Sequence, residues 1–122
     1  MLVVEDEEQL CVLYRKVLEK EGYGVEVAID GVEGLEMAKK GGYDLILLDI
    51  KMPRMDGLEM LKQLNSEKAQ KPNGPVVILT SHPEEGMSMA ARSLGAAGFL
   101  IKAPGGDQQF VDKVKSFLGN YV

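Results

Sequence analysis

Asp-Ile-Lys-Met-Pro-Arg-Met-Asp-Gly, residues 49–57, is the stretch that decides the fold of this chain, together with the apolar run before it. That run, Leu-Ile-Leu-Leu at residues 45–48, is too short and too closely bounded for a helix, which predicts a buried parallel strand over residues 43–48. Asp49 therefore stands where a buried strand ends, and open α/β sheets bind their ligands at that edge. A carboxylate there is a candidate nucleophile or metal ligand, and the alternative is an aspartate that caps the next turn.

Strand and helix patterns alternate five times along the 122 residues. Apolar runs predict the strands, and apolar residues at 3.6-residue spacing predict the helices between them. The predicted strands are 2–4, 24–29, 43–48, 76–79 and 99–102, and the predicted helices begin near residues 10, 30, 58, 84 and 107. This alternation predicts a parallel sheet with helices on both faces and right-handed crossovers. We therefore expect one three-layer α/β/α domain over residues 1–122, with a doubly wound parallel five-stranded sheet.

Local signals mark helix starts and loops. Asp30 is the predicted N-cap of the second helix, and Glu33 is placed to reach back to it. In the loop after Asp49, Met52-Pro53 disfavours a helix and Asp56-Gly57 predicts a turn.

Composition excludes several classes of function. The net charge is −5, which argues against direct binding of nucleic acid because no basic patch would neutralise phosphates. A single cysteine excludes an internal disulfide framework. No stretch approaches the roughly 20 apolar residues of a membrane span, and the first residues lack the basic region of a signal peptide. The expected setting is the cytoplasm.

Charged and polar residues stand at the ends of four predicted strands: Glu5 and Asp6 after the first, Asp49 after the third, Thr80 after the fourth and Lys102 after the fifth. In a doubly wound sheet all four ends face one crevice. Three carboxylates in one crevice repel one another unless a cation neutralises them, and oxygen ligands suit Mg²⁺. A hydroxyl and an ammonium group could bind the oxygens of a phosphoryl group on Asp49. The residues therefore predict transfer of a phosphoryl group to a carboxylate.

These segments carry a family resemblance that covers essentially the whole chain. Val4-Glu5-Asp6, residues 49–57, Thr80-Ser81 and Gly98-Phe99-Leu100-Ile101-Lys102 closely resemble the receiver domain of two-component response regulators, and residues 28–35 resemble that family's second strand and helix. The resemblance implies a flavodoxin-like fold with strand order 2-1-3-4-5. It also implies a signalling switch that catalyses only its own aspartyl phosphorylation and dephosphorylation.

The resemblance implies roles for the site residues and a kinase partner. Asp49 would accept a phosphoryl group from a sensor histidine kinase or a phosphotransfer protein. Glu5, Asp6, Asp49 and the backbone carbonyl of Lys51 would hold Mg²⁺ or Mn²⁺. Thr80 and Lys102 would contact the phosphoryl group, and Thr80 and Phe99 would be the switch residues.

The resemblance also implies an output surface on the fourth helix, fifth strand and fifth helix. That surface would bind an output protein or domain, or form a homodimer, with no direct contact to nucleic acid or membrane. Met87 and Met89 suit such a surface because methionine side chains adapt to different partners, although core packing is the expected role of one of them. His82, the only histidine, is expected in a loop near the site.

The sequence departs from the family pattern at two places near the site. The first acidic residue is Glu5, where aspartate is commoner, and its longer side chain is expected to reach the cation through a water. Ala103 separates Lys102 from Pro104, where the family usually has Lys-Pro. We expect a trans peptide bond between Lys102 and Ala103, because a cis bond before a residue other than proline costs about 3 kcal/mol.

Two other functions remain open from the sequence. One is a receiver-like docking domain with little response to phosphate. The other is an aspartate-nucleophile phosphatase of the haloacid dehalogenase type, which uses a similar set of groups around Mg²⁺. Those enzymes carry a second aspartate two residues after the nucleophile, where this chain has Lys51, and their nucleophile precedes the acidic pair, whereas Asp49 follows it.

Overall fold

The structure is a computed structural model that describes residues 1–50, 52, 54–67, 69–81, 89–102 and 107–119. Within those ranges, no helix has both the length and the apolar character needed to cross a lipid bilayer.

Five parallel strands form a single sheet in the order β2-β1-β3-β4-β5. The strands are β1 (Leu2–Val4), β2 (Glu26–Ala28), β3 (Ile46–Asp49), β4 (Val76–Thr80) and β5 (Gly98–Ile101). The predicted strand order and the flavodoxin-like α/β class are confirmed. Because all strands run the same way, their carboxyl ends meet at one edge of the sheet, which we call the site edge.

β3 begins three residues later than the sequence predicts and includes Asp49. The reason is a set of hydrogen bonds from Tyr43 to the loop before β4. Its N–H donates to Oδ1 of Asn73 at 3.1 Å, and its carbonyl accepts from the N–H of Gly74 at 2.6 Å. These bonds use the backbone groups of Tyr43 that a strand would need for its ladder.

Helices connect the strands on both faces of the sheet. They are α1 (Glu8–Lys20), α2 (Gly31–Lys40), α3 (Gly57–Ser66), α4 (Met89–Ser93) and α5 (Asp107–Phe117). The fourth helix is predicted over residues 84–94, and the described part of that range is α4 with Leu94 after it. His82 and Met87 lie outside the described residues, as does the side chain of Met89.

The helix starts confirm one predicted cap and correct a predicted turn. Oδ1 of Asp30 accepts the N–H of Glu33 at 2.8 Å, as expected for the N-cap of α2. Asp56 and Gly57 do not form a separate turn. Oδ1 of Asp56 accepts the N–H of Glu59 at 2.8 Å, so Asp56 caps α3 and Gly57 is its first residue.

Two apolar clusters, one on each face of the sheet, form the core. The first cluster packs α1 and α5 against the sheet and includes Val3, Tyr14, Leu47, Leu79, Leu100 and Phe110. The second packs α2, α3 and α4 and includes Val4, Leu48, Met60, Ile78 and Ala91. The three-layer arrangement follows, since each buried strand contributes alternate side chains to both clusters.

Candidate functional site

The site edge collects the residues that the sequence singles out. Glu5 and Asp6 follow β1, Asp49 and Thr80 are the last residues of β3 and β4, and Lys102 follows β5. Backbone pairing extends past β1 and β5. The N–H of Glu5 donates to the carbonyl of Ala28 at 3.0 Å, and the N–H of Lys102 donates to the carbonyl of Thr80 at 2.7 Å. The ends of these strands are therefore held in register by the sheet itself.

Lys102 forms the centre of the site. Its Nζ lies 2.8 Å from Oδ2 of Asp49 and 2.9 Å from Oε1 of Glu5. All three side chains are nearly withdrawn from water, with exposed fractions of 11% for Lys102, 5% for Asp49 and 0% for Glu5. Two buried carboxylates thus share one ammonium group as their counter-charge.

Burial and charge shift the acid–base chemistry of this group. Burial raises the pKa of Glu5 and the neighbouring charge of Asp49 adds to this, so that the pKa reaches about 7 despite the opposing effect of Lys102. Burial lowers the pKa of Lys102, but its hydrogen bonds to Asp49 and Glu5 outweigh that effect and raise it overall. Lys102 therefore remains charged across the range in which Glu5 titrates.

The other oxygen of Glu5 and its backbone are also engaged. The N–H of Glu7 donates to Oε2 of Glu5 at 3.2 Å. Sγ of Cys11 donates to the carbonyl of Glu5 at 3.1 Å, and burial raises the pKa of this thiol to about 11. A buried cysteine that keeps its proton at neutral pH contributes packing and is not a nucleophile.

Three carboxylates at the site edge fit a divalent cation. Glu5, Asp6 and Asp49 each offer an oxygen, and the three oxygens lie within 4.8 Å of one another. Asp6 is exposed, so the group is open to solvent on one side. Carboxylate oxygens in this number suit Mg²⁺ or Mn²⁺. The predicted fourth ligand, the carbonyl of Lys51, lies outside the described residues, as does the predicted Lys102-Ala103 bond.

Thr80 and Phe99 belong to neighbouring strands. Thr80 is buried at the end of β4, and Phe99 lies opposite Ile78 in the register of β4 and β5. Ile78 and Phe99 both contact the second cluster, and strand alternation puts Thr80 on that same face. The structure thus brings the two predicted switch residues to one side of the sheet, with Phe99 half-buried.

Gly57, which the sequence marks only as a turn residue, lies in close contact with the backbone of Asp49. A Cβ atom on Gly57 would overlap the carbonyl oxygen of Asp49, and the N–H of Gly57 donates to the carbonyl of Ile50 at 2.8 Å. The first residue of α3 therefore packs directly against the backbone of Asp49. No local pattern reveals this approach, because it depends on how α3 packs beneath β3.

An ion pair near the site is also absent from the sequence interpretation. Nη1 of Arg54 lies 3.0 Å from Oδ2 of Asp30, whose other oxygen caps α2. Arg54 has a φ of 68°, a left-handed conformation that is uncommon for residues other than glycine. The pair joins the loop after Asp49 to the start of α2, and its residues are 24 positions apart, too far for a local signal.

A family model described as the response regulator receiver domain matches residues 1–115 of this chain. Two similar proteins come from Bacillus subtilis (strain 168). The alkaline phosphatase synthesis transcriptional regulatory protein PhoP is 37% identical over 118 residues, which cover 97% of this chain and 48% of that protein. Sporulation initiation phosphotransferase F is 36% identical over 118 residues, which cover 97% of this chain and 92% of that protein. This chain spans about half the length of the transcriptional regulators it matches.

Solved structures give the same result. The N-terminal domain of a response regulator/sensory box/GGDEF 3-domain protein from Carboxydothermus hydrogenoformans superposes with a TM-score of 0.80 at 33% identity, over 98% of this chain and 94% of that one. The response regulator TrrA from Thermotoga maritima, in complex with Mg²⁺-BeF, gives a TM-score of 0.80 at 29% identity, over 95% and 96% of the two chains. With the match over residues 1–115, these findings show that the chain belongs to the response regulator receiver domain family.

Proposed function

We propose that this chain, as one domain over residues 1–122, is a phosphorylation-controlled switch whose phosphoryl acceptor is Asp49. The observation that carries the proposal is the 2.8 Å contact between Nζ of Lys102 and Oδ2 of Asp49 at the site edge. A buried carboxylate beside an ammonium group is equipped to become an acyl phosphate. The flexible lysine side chain can keep its ammonium group close to the negative charge that the phosphoryl group adds. Receiver domains are signalling proteins and not classical enzymes, which argues against the phosphatase alternative.

The proposed reaction is transfer of a phosphoryl group from a phosphohistidine of a sensor kinase or a phosphotransfer protein. An oxygen of Asp49 forms the new P–O bond, the P–N bond breaks, and the imidazole nitrogen keeps the electron pair and takes a proton. Lys102 stays close to Asp49 and offsets the negative charge that builds up on the phosphoryl oxygens. Thr80, at the end of the neighbouring strand, is the hydroxyl donor proposed for the same oxygens.

Glu5, Asp6 and Asp49, with the backbone carbonyl of Lys51, are the proposed ligands of Mg²⁺ or Mn²⁺. Support comes from the three carboxylate oxygens that lie within 4.8 Å of one another. When bound, the cation supplies neutralisation of charge on the transferring phosphoryl group. The sheet holds the three carboxylates together at the site edge. They would repel one another there if no positive charge were present.

Phosphorylation is proposed to reach a partner through Thr80 and Phe99. A phosphoryl group is a stronger hydrogen-bond acceptor than a carboxylate alone, and it would draw the Thr80 hydroxyl toward it. Phe99 is half-buried on the same face of the sheet and can fill the space behind Thr80. The proposed output surface is α4, β5 and α5, which would bind an output protein or domain or a second copy of this chain in the cytoplasm.

The acceptor is tested by incubating the chain with a small phosphodonor and Mg²⁺ and measuring its intact mass. We expect a gain of one phosphoryl group in the parent and no gain in Asp49→Asn. Asp56→Asn is the matched control, because asparagine caps a helix as well as aspartate and α3 should keep its start. Equal labelling of parent and Asp49→Asn would refute the assignment.

The switch is tested by comparing NMR spectra with and without a phosphoryl mimic on Asp49. Shift changes should run through Thr80 and Phe99 into α4. Changes that stay at the site edge, or that are equally large on α1, would contradict the proposed output surface.

A further inference from the structure

Tyr14 carries a buried hydroxyl with no hydrogen-bond partner among the residues that the structure describes. The residue is 2% exposed and lies on α1, where its ring stacks on Phe110 with the centroids 5.0 Å apart. A buried hydroxyl that makes no hydrogen bond costs about 1–3 kcal/mol, so an unpartnered one needs an explanation. A phenylalanine would pack in the same place without that cost.

The sheet places this hydroxyl beneath the site. Side chains two residues apart on a strand share a face, so Glu5, Asp49 and Lys102 stand directly above Val3, Leu47 and Leu100, all in the first cluster with Tyr14. The α1 helix begins at the site edge, and helical side chains lean toward the N-terminus of their helix. The phenol of Tyr14 therefore leans toward the buried carboxylates.

Charge and burial keep the phenol a donor. Burial raises the pKa of Tyr14, and the negative charges of Glu5 and Asp49 raise it further, so the hydroxyl keeps its proton throughout the physiological range. Glu5 has both oxygens engaged at rest, Oε1 by Lys102 at 2.9 Å and Oε2 by the N–H of Glu7 at 3.2 Å. At rest the hydroxyl of Tyr14 donates to neither oxygen.

We propose that Tyr14 is a positioning residue, and that its hydroxyl donates a hydrogen bond to Glu5 once Lys102 releases that carboxylate. The inference rests on the proposed function, in which Glu5 is a cation ligand. A divalent cation that binds there competes with Lys102 for Glu5, and a phosphoryl group on Asp49 draws Lys102 further away. Release leaves Oε1 of Glu5 buried without a partner, and Tyr14 is a buried neutral donor on the same face of the sheet that leans toward it. Carboxylates that bind metals are commonly oriented by such hydrogen bonds, and losing one weakens metal binding about 10–100-fold.

The test compares Tyr14→Phe with the parent by calorimetric titration with MgCl₂ at pH 8 and by thermal melting with and without Mg²⁺. Phenylalanine keeps the ring on Phe110 and removes only the hydroxyl. We expect Mg²⁺ to bind the variant about tenfold more weakly, while its melting temperature without the ion equals or exceeds that of the parent. Tyr23→Phe is the matched control, because Tyr23 packs on the same cluster before β2, at the opposite edge of the sheet, and should bind Mg²⁺ like the parent.

The other outcomes separate this inference from the proposed function. Equal Mg²⁺ affinity in Tyr14→Phe and parent overturns the role of Tyr14 alone. An equal loss of melting temperature with and without Mg²⁺ also overturns it, because the hydroxyl would then already have a partner, such as a buried water, at rest. If Asp6→Ala binds Mg²⁺ as well as the parent, the proposed cation site fails, and the role of Tyr14 fails with it.

Discussion

Nζ of Lys102 lies 2.9 Å from Oε1 of Glu5, so an ammonium group of the chain itself serves as counter-ion to a proposed cation ligand. Glu5 is one methylene longer than aspartate, and that length gives it direct contact with Lys102. That Glu5 reaches a cation through a water stays a prediction. The consequence is competition: a divalent cation has to bind where one positive charge is already held between Glu5 and Asp49.

Removing that charge should strengthen cation binding. Two like unit charges about 4 Å apart repel each other by about 4 kcal/mol at an effective dielectric constant of 20. The flexible lysine side chain relieves part of this repulsion by moving away. We expect Lys102→Met to bind Mg²⁺ about tenfold more tightly than the parent at pH 8, measured by calorimetry. The same variant should accept a phosphoryl group poorly.

Lys39→Met is the charge-matched control, because Lys39 pairs with Glu67 at 3.0 Å on the surface, in the last turn of α2. It should bind Mg²⁺ like the parent. An unchanged or lower affinity in Lys102→Met would show that the ammonium group does not compete with the cation.

The raised pKa of Glu5 predicts a pH dependence of stability in protein freed of metal with a chelator. Folding raises this pKa from 4.5 to about 7, so the folded state favours the protonated form. The stability that Glu5 contributes is fully present below pH 4.5 and is lost as the pH rises through 7. Relative to Glu5→Gln, the parent should therefore lose up to about 3 kcal/mol of unfolding free energy between pH 4.5 and 8.

Urea denaturation of both proteins at several pH values measures this difference. Glu36→Gln is the control, since Glu36 carries the same charge but is exposed on α2. A difference between Glu5→Gln and parent that stays constant from pH 4.5 to 8 would contradict the assigned environment of Glu5.

Gly57→Ala should disturb the acceptor strand directly. The added Cβ would overlap the carbonyl oxygen of Asp49, and backbone atoms cannot rotate aside as a flexible side chain can. We expect a loss of about 3 kcal/mol of unfolding free energy in chemical denaturation. Gly24→Ala is the control, because a Cβ there meets no atom within 4 Å. Equal stability of the two variants would mean that α3 does not press on β3 as the structure has it.

Much of the site could be predicted because its position follows from strand order alone. Once Asp49 is placed at the end of a buried parallel strand, the residues after β1, β4 and β5 must meet it at the same edge. Apolar runs and residue types carry that information locally. Lys102 contacts both carboxylates at that edge.

Other features of the structure have no signal in the sequence, because they depend on packing between distant segments. The close fit of Gly57 under Asp49, the Arg54–Asp30 pair and the late start of β3 each involve a partner on another element. Tyr14 falls on the apolar face of α1, and that pattern by itself predicts only a core residue. Its unpartnered hydroxyl appears only when the neighbouring strands are in place.

If Asp49 carries the phosphoryl group, reduction of the acyl phosphate locates it directly. Borohydride converts a phosphorylated aspartate to homoserine, and trypsin then releases the peptide of residues 41–51, which contains Asp44 and Asp49. Tandem mass spectrometry should find homoserine at position 49 after treatment with phosphodonor and Mg²⁺, and aspartate at position 44. Homoserine at position 44, or in another peptide with residue 49 unchanged, would contradict the account.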